Sequence, residues 1–217
     1  MTYTEKDKSP TGLNEFFATL KDAHTEACKY GQYQHQNHWC WIAVAASIID
    51  FYAQTRNSCN QATIYGDCIA RADKELLSEA GAMTLPVTDE DNNSTGWPKD
   101  SLASVKAMGS AMEDVDSYDL KRLMALYNDM QSELAENRPV VIGVLFSDFI
   151  PELAGAKAHA MVITGYGAFK DSSDPCWEIW DPWKGRGLYH APTFPAYFYG
   201  DPGAKLWFAN FTHPPKK

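Results

Sequence analysis

Residues 34–49 read QHQNHWCWIAVAASII, and this stretch decides the fold. Polar residues lead up to Cys40, and a nearly unbroken apolar run follows over residues 42–49. The run predicts a helix over residues 39–54 that is hydrophobic on almost every face until Asp50, which is the pattern of a helix buried in a core. Cys40 is therefore expected at the start of a buried helix.

The position of Cys40 indicates a nucleophile. Unpaired backbone N–H groups and the positive end of the helix dipole favour a thiolate at a helix N-terminus. Gln34 is a candidate to donate its side-chain amide to a developing oxyanion, together with the backbone N–H of Cys40. Gln36 is also polar and lies closer to the cysteine, so the residues alone leave both glutamines open as the oxyanion donor.

The charge balance argues against nucleic acid as a partner. The formal net charge is -9 and no run of lysine and arginine exceeds two residues, so a phosphate backbone finds no basic surface. The first eight residues are polar, and no window approaches the ~20 apolar residues of a spanning helix. We therefore predict neither a signal peptide nor a membrane partner, and we expect a cytoplasmic protein or one exported by a secretion system that uses no signal peptide.

The chain contains five cysteines: Cys28, Cys40, Cys59, Cys68 and Cys176. A protein without a signal peptide most often stays in a reducing compartment, so we predict free thiols rather than disulfides. Apart from Cys40, the cysteines are interpreted as small buried hydrophobic residues. No CxxC pair or histidine at zinc-ligand spacing accompanies them, and neither a metal nor a cofactor is predicted.

The first half of the chain is helical in pattern. Besides the helix over 39–54, the sequence predicts helices over residues 14–30, 71–80, 101–108 and 118–137. Asn60 or Thr63 is a candidate helix cap. Turn residues over 86–98 predict a surface loop.

The pattern changes to strands after Pro139. Apolar and β-branched residues, separated by Gly, Pro and Asp, predict strands over residues 140–146, 159–166, 176–181 and 205–211. Helices followed by an antiparallel sheet make an α+β fold. We predict a single domain over residues 1–217, with a mainly helical sub-lobe over 1–138 and a mainly β sub-lobe over 139–217. Three acidic sites are interpreted as solvated surface: Asp174, Glu178 and residues 89–91.

The predicted sheet supplies the partners that a cysteine nucleophile needs. His159 begins a strand after a loop of small residues, where its ring is a candidate general base for Cys40 and later a proton donor to the leaving group. Asp181 ends another strand, and its carboxylate is a candidate to accept the other ring N–H of His159. Trp180 and Trp183 flank Asp181 and are expected to screen that hydrogen bond from water.

Three tryptophans are candidate substrate-binding residues: Trp39, Trp41 and Trp180. For the two that flank Cys40, packing in the core or in the cleft wall is the favoured interpretation.

The ordered set of motifs resembles that of papain-like cysteine peptidases. The motifs are Gln34, Cys40-Trp41, Pro139-Val140, the strand over residues 159–167, and Trp180-Asp181-Pro182-Trp183. The resemblance covers residues 32–54 and 138–184, and it is closest to the compact bacterial branches of the AvrRpt2-type effector proteases and the double-glycine-leader peptidases. It implies a helical lobe carrying the cysteine helix packed on a sheet lobe.

The resemblance also implies a role for each site residue. Cys40 would attack, His159 would act as base, Asp181 would orient it, and Gln34 rather than Gln36 would support the oxyanion. The separation of 119 positions between Cys40 and His159 exceeds what the compact effector proteases suggest. Residues 56–135 are therefore interpreted as an elaboration without an assigned role, and the leader-peptidase substrate is not carried over.

Three functions remain open at this point. The first is a peptidase acting on a protein or peptide substrate, with Cys40, His159 and Asp181 as a unit. The second is an acyl transferase of transglutaminase type, which uses the same residue types and differs in whether water or an amine resolves the acyl-enzyme. The third is a noncatalytic binding protein on the same fold. The sequence does not indicate an oligomeric state.

Overall fold

The computed structural model describes residues 27–78, 113–114, 120–168, 175–191, 193–196 and 198–214. These residues contain three α-helices: α1 (Cys40–Ala53), α2 (Gln61–Ser78) and α3 (Leu120–Ala135). The strands are β1 (Glu113–Asp114), β2 (Val140–Ile150), β3 (Ala156–Ala168), β4 (Pro175–Asp181), β5 (Gly185–His190) and β6 (Lys205–Phe211). Two 3-10 turns, Ala27–Tyr30 and Pro151–Leu153, complete the described elements.

The six strands form one sheet in the order β1-β6-β2-β3-β4-β5, and every pairing is antiparallel. The helices precede the sheet in the chain, apart from the two-residue strand β1. The prediction of an α+β fold, with helices N-terminal and sheet C-terminal, is confirmed.

The predicted elements agree with the observed ones where the pattern was strong. The helix predicted over 39–54 is α1, and the one predicted over 118–137 is α3. Helix α2 begins ten residues before the predicted start at residue 71. Asn60 precedes α2, and its Oδ1 accepts the N–H of Ala62 at 2.8 Å, as a helix cap does.

Strand β5 was missed, because GRGLYH carries two glycines and resembles a turn more than a strand. The segment is a strand because its backbone pairs with β4, which its own sequence does not indicate. The predicted helix over 101–108, the predicted loop over 86–98 and most of the predicted helix over 14–30 lie outside the described residues.

The sheet is covered on both faces, which explains the continuous apolar run of β2. Val140, Ile142 and Val144 pack in one hydrophobic cluster with residues of α3. Val141 lies in a second cluster with residues of α1. Because successive side chains of a strand point to opposite faces, a strand with helices on both sides must be apolar throughout.

The central helix α1 is buried as predicted, including the carboxylate of Asp50. Asp50 accepts hydrogen bonds from Gln32 Nε2 at 2.8 Å and from the backbone N–H groups of Asn57 and Ser58 at 2.6 and 2.8 Å. A buried carboxylate is tolerated only when donors of this kind replace water. Asp50 therefore ties the end of α1 to the chain on both sides of it.

Glu178 is buried, so the interpretation of its side chain as solvated surface is wrong. Its side chain is 0% exposed, pairs with Arg186 Nε and accepts the hydroxyl of Thr164 at 2.8 Å. Alternation within a strand did not reveal this, because the compensating charge comes from the neighbouring strand β5. Asp174 and residues 89–91 lie outside the described residues.

All five cysteines are free thiols in the structure. Cys68 and Cys176 are buried as interpreted, and burial raises the pKa of the Cys176 thiol. Cys28 and Cys59 are partly exposed, so the interpretation of these two as fully buried is wrong. Within the described ranges, no helix has the length and apolar character needed to cross a membrane.

Gly31 allows Trp180 to pack against the segment that precedes α1. A Cβ atom at Gly31 would lie 2.1 Å from the indole ring of Trp180, which is buried. We expect Gly31→Ala to lower the free energy of unfolding by about 1–3 kcal/mol, because the ring has to move. Urea unfolding followed by tryptophan fluorescence measures this loss.

Gly66 provides the matched control, because a Cβ there meets nothing within 4 Å and the residue lies in α2. Gly66→Ala is expected to leave the free energy of unfolding unchanged or to raise it by about 0.5–1 kcal/mol. Equal stability of the two variants would contradict the packing argument for Gly31.

Candidate active site

His159 and Asp181 are brought together by two neighbouring strands. Val162 on β3 pairs with Trp180 on β4. His159 lies three residues before Val162 and Asp181 lies one residue after Trp180, so the alternation of side chains places both on the same face of the sheet. His159 Nε2 lies 2.7 Å from Asp181 Oδ1. The exposed fractions of the two side chains are 2% and 0%, so the contact is shielded from water.

Asp181 receives two further hydrogen bonds. Oδ1 also accepts the backbone N–H of Trp183 at 2.7 Å, and Oδ2 accepts the hydroxyl of Tyr199 at 2.7 Å. Both carboxylate oxygens are therefore held by donors from outside strand β4. This set of donors replaces the water that burial removes from the charge.

Cys40 joins this pair from the N-terminus of α1. Its thiol lies close enough to the His159 ring for a hydrogen bond and for its charge to raise the pKa of that ring. Nε2 of that ring is engaged by Asp181, so Nδ1 is the ring nitrogen left for the sulfur. The predicted trio of Cys40, His159 and Asp181 thus forms one continuous chain of side-chain contacts.

The charges in this chain support each other. Burial by itself lowers the pKa of His159, but the negative charge of Asp181 and its hydrogen bond outweigh burial, and Cys40 adds a smaller effect in the same direction. The pKa of His159 is therefore raised above its ordinary value. Burial by itself raises the pKa of Asp181, but the charge of His159 and the hydrogen bonds from His159, Tyr199 and Trp183 N–H lower it. The geometry thus favours an imidazolium beside an ionised carboxylate.

Gln34 adjoins this chain of contacts through its backbone. Its N–H donates to the carbonyl of Pro182 at 3.0 Å, next to Asp181. Its side-chain Nε2 donates to the carbonyls of Gln36 and Asn37 at 2.9 and 2.7 Å and so braces the turn that leads into α1. Gln34 Oε1 is buried and accepts no hydrogen bond from the described residues.

The three candidate substrate-binding tryptophans all lie in the cluster around α1: Trp39, Trp41 and Trp180. Trp41 is 1% exposed. Packing accounts for these positions, and a contact with substrate stays a prediction. Trp183 differs, because 37% of it is exposed beside Asp181.

Tyr199 is a member of the site that the sequence analysis missed. It contacts Asp181 through its hydroxyl, and its ring meets the His159 ring edge to face, with the centroids 5.9 Å apart. Tyr199 lies in a turn before β6, 18 residues after Asp181, and no motif marks it. Only the folding of this turn over strands β3 and β4 reveals the contact.

The described residues contain no group of three or more His, Cys, Asp or Glu side chains placed to hold a metal ion. The site consists of a thiol, an imidazole and a carboxylate in sequence. Such an arrangement suits nucleophilic attack by sulfur on a carbonyl, with the imidazole as the group that accepts and donates the proton.

Comparison with known proteins agrees with this chemistry. Residues 29–198 match the family model described as the Peptidase_C39 like family. The match begins before Cys40 and extends past His159 and Asp181, and it covers more than half of the chain. Among curated proteins no match was found. The chain therefore belongs to the Peptidase_C39 like family, whose members are cysteine peptidases of the papain-like type.

Proposed function

We propose that this chain hydrolyses a peptide or isopeptide bond in a protein or peptide substrate through a thioester on Cys40. The observation that carries the proposal is the continuous contact from the Cys40 thiol through the His159 ring to the buried Asp181 carboxylate. A thiol at a helix N-terminus, paired with an imidazolium, is the environment in which a cysteine becomes a nucleophile.

The first half of the reaction forms the thioester. The Cys40 thiolate attacks the carbonyl carbon, and the carbonyl oxygen takes up the negative charge of the tetrahedral intermediate. As the intermediate collapses, the carbon–nitrogen bond breaks and the leaving nitrogen takes a proton from the His159 imidazolium. The amine leaves, and a neutral imidazole remains beside the acyl-enzyme.

The second half releases the acid. Neutral His159 accepts a proton from a water molecule as the water oxygen attacks the thioester carbon. The carbon–sulfur bond then breaks, the carboxylic acid departs and Cys40 leaves as a thiolate beside the regenerated imidazolium. Throughout the cycle Asp181 stays ionised and fixes the ring orientation through Nε2.

The oxyanion is proposed to be held at the start of α1. Trp39 is the N-cap residue and makes no side-chain capping hydrogen bond, and the backbone N–H of Cys40, the first residue of α1, is the proposed first donor to a substrate oxygen. Gln34 is the proposed second donor. Both hydrogens of its Nε2 are donated to carbonyls, so one must be released for this role when substrate binds.

We propose one finer point on the resemblance of the motifs alone. A relationship to the compact bacterial branches rests on the Trp-Cys-Trp sequence around Cys40 and on an aspartate as third member.

Hydrolysis is distinguished from acyl transfer by the product. A peptide library is incubated with the protein, with and without a small primary amine, and the products are identified by mass spectrometry. New carboxyl termini in both incubations support a peptidase. Products that carry the amine in place of a carboxylate would instead indicate a transferase.

Cys40→Ala is expected to abolish cleavage of this library while the protein remains folded, because alanine is well tolerated in a helix. Circular dichroism and urea unfolding report the fold. The matched control is Cys59→Ala, which removes another partly exposed thiol that takes no part in the Cys40–His159–Asp181 contacts and is expected to keep full activity. Cleavage by Cys40→Ala at the rate of the unmodified protein would eliminate this nucleophile.

Asp181→Asn is expected to lower kcat by about 10²- to 10⁴-fold with a smaller change in KM, because the ring loses its orientation. The alkaline limb of the profile of kcat/KM against pH should also move to lower pH. The charge of Asp181 opposes burial and keeps His159 protonated, so without it the imidazolium is lost earlier as pH rises. An unchanged limb would show that Asp181 does not control the charge of His159.

A further inference from the structure

We propose that Tyr199 is a positioning residue of this site: its hydroxyl fixes the Asp181 carboxylate, and Asp181 in turn fixes His159 for Cys40. The inference rests on the proposed function, because it assigns a residue to the same reaction. It goes beyond that function, because neither the motifs nor the trio of side chains includes Tyr199.

The first argument is the division of donors between the two carboxylate oxygens. Oδ1 of Asp181 accepts His159 Nε2 and the backbone N–H of Trp183, whereas Oδ2 accepts the Tyr199 hydroxyl. Asp181 is fully buried. Removing the hydroxyl therefore leaves a buried, charged oxygen without the donor that the described residues give it, which is costly.

The second argument is geometric. A carboxylate held at one oxygen turns about its Cβ–Cγ bond, whereas donors at both oxygens fix its plane. The plane of Asp181 sets the direction from which His159 Nε2 approaches, and hence where Nδ1 points. Tyr199 supplies the donor at the second oxygen.

The third argument is the direct contact of Tyr199 with the imidazole. The two rings meet at an interplanar angle of 81°, so Tyr199 touches both partners of the buried pair. Burial, followed by the charge of Asp181 and the hydrogen bond to it, raises the pKa of Tyr199. The hydroxyl consequently stays protonated, and so able to donate, at neutral pH.

The fourth argument is that the chain holds Tyr199 in place at a conformational cost. Its φ of 53° lies in the left-handed region, which a bulky side chain occupies only when its surroundings impose it. The turn is anchored by Asp201, which accepts the backbone N–H and the hydroxyl of Ser147, both at 2.6 Å. The ammonium of Lys184 lies 3.5 Å from the centre of the Tyr199 ring and packs against it.

A partly buried tyrosine elsewhere in this protein makes a hydrogen bond that is remote from the His159–Asp181 pair. Tyr127 donates to the carbonyl of Phe194 at 3.1 Å, and its hydroxyl contacts neither His159 nor Asp181. Tyr127→Phe is therefore the matched control for Tyr199→Phe, since each variant keeps its ring and loses one hydroxyl.

The experiment measures alkylation of Cys40 by iodoacetamide, which needs no knowledge of the substrate. Rates at the Cys40 peptide are determined by mass spectrometry at about pH 6 and about pH 9, because a thiol without a partner forms little thiolate at the lower value. The proteins are the unmodified chain, Tyr199→Phe, Asp181→Asn, the double variant and Tyr127→Phe. Cys59 is the internal comparison.

We expect Tyr199→Phe to slow Cys40 alkylation about tenfold at about pH 6, which is the loss of one hydrogen bond to a charged group. The change at about pH 9 should be smaller, because the thiolate then forms without the imidazolium. In the Asp181→Asn background the same substitution should have no further effect, since Tyr199 acts through Asp181. Tyr127→Phe should leave both rates unchanged.

Two outcomes would overturn the assignment while leaving the proposed function intact. One is an unchanged alkylation rate for Tyr199→Phe at about pH 6. The other is a double variant whose rate loss is the product of the losses caused by Tyr199→Phe and Asp181→Asn alone. If Cys40 of the unmodified chain reacts no faster than Cys59 at about pH 6, the proposed function fails as well. As a second measurement, the ring N–H proton resonance of His159 in the NMR spectrum should shift or broaden in Tyr199→Phe. A resonance identical to that of the unmodified chain would also count against the proposal.

Discussion

The burial of the ionised Asp181 carboxylate is the constraint on which the rest of the site depends. A charge removed from water is tolerated only when hydrogen bonds and an opposite charge replace its hydration. Here the imidazolium of His159 supplies the charge, and the Trp183 N–H and the Tyr199 hydroxyl supply further hydrogen bonds. The buried negative charge of Asp181 in turn raises the pKa of His159 and so favours the protonated imidazole beside Cys40.

The fold satisfies this constraint by bringing together three distant parts of the chain. Adjacent strands β3 and β4 carry the imidazole and the carboxylate, and helix α1 carries the sulfur to them. The segment before α1 joins these parts. Gln34 pairs with Pro182, and Trp180 Nε1 donates to the carbonyl of Gln32 at 3.3 Å, so this segment is bound to the end of β4 before it turns into the helix.

The same principle governs two other buried carboxylates, Glu178 and Asp50. Glu178 is paired with Arg186, and Asp50 is surrounded by N–H and hydroxyl donors from the loop after α1. Gln32 and Gln61 extend the Asp50 network, since Gln61 Nε2 donates to Gln32 Oε1 at 3.2 Å and to the carbonyl of Tyr33 at 2.7 Å. These polar networks hold the segment before α1 between the helices and the sheet, and this segment leads directly into Cys40 at the start of α1.

The sequence by itself determined the α+β class, the buried helix that starts at Cys40, four of the strands and the three residue types of the candidate site. These properties follow from hydrophobic periodicity and from side-chain chemistry, which are local. Tertiary structure alone decided that Tyr199 reaches Asp181, that Glu178 is buried against Arg186, that GRGLYH becomes strand β5 and that the Gln34 amide braces a turn. Each of these depends on a hydrogen-bond or charge partner from another element, and local sequence does not specify that partner because the chain must fold before the two groups meet.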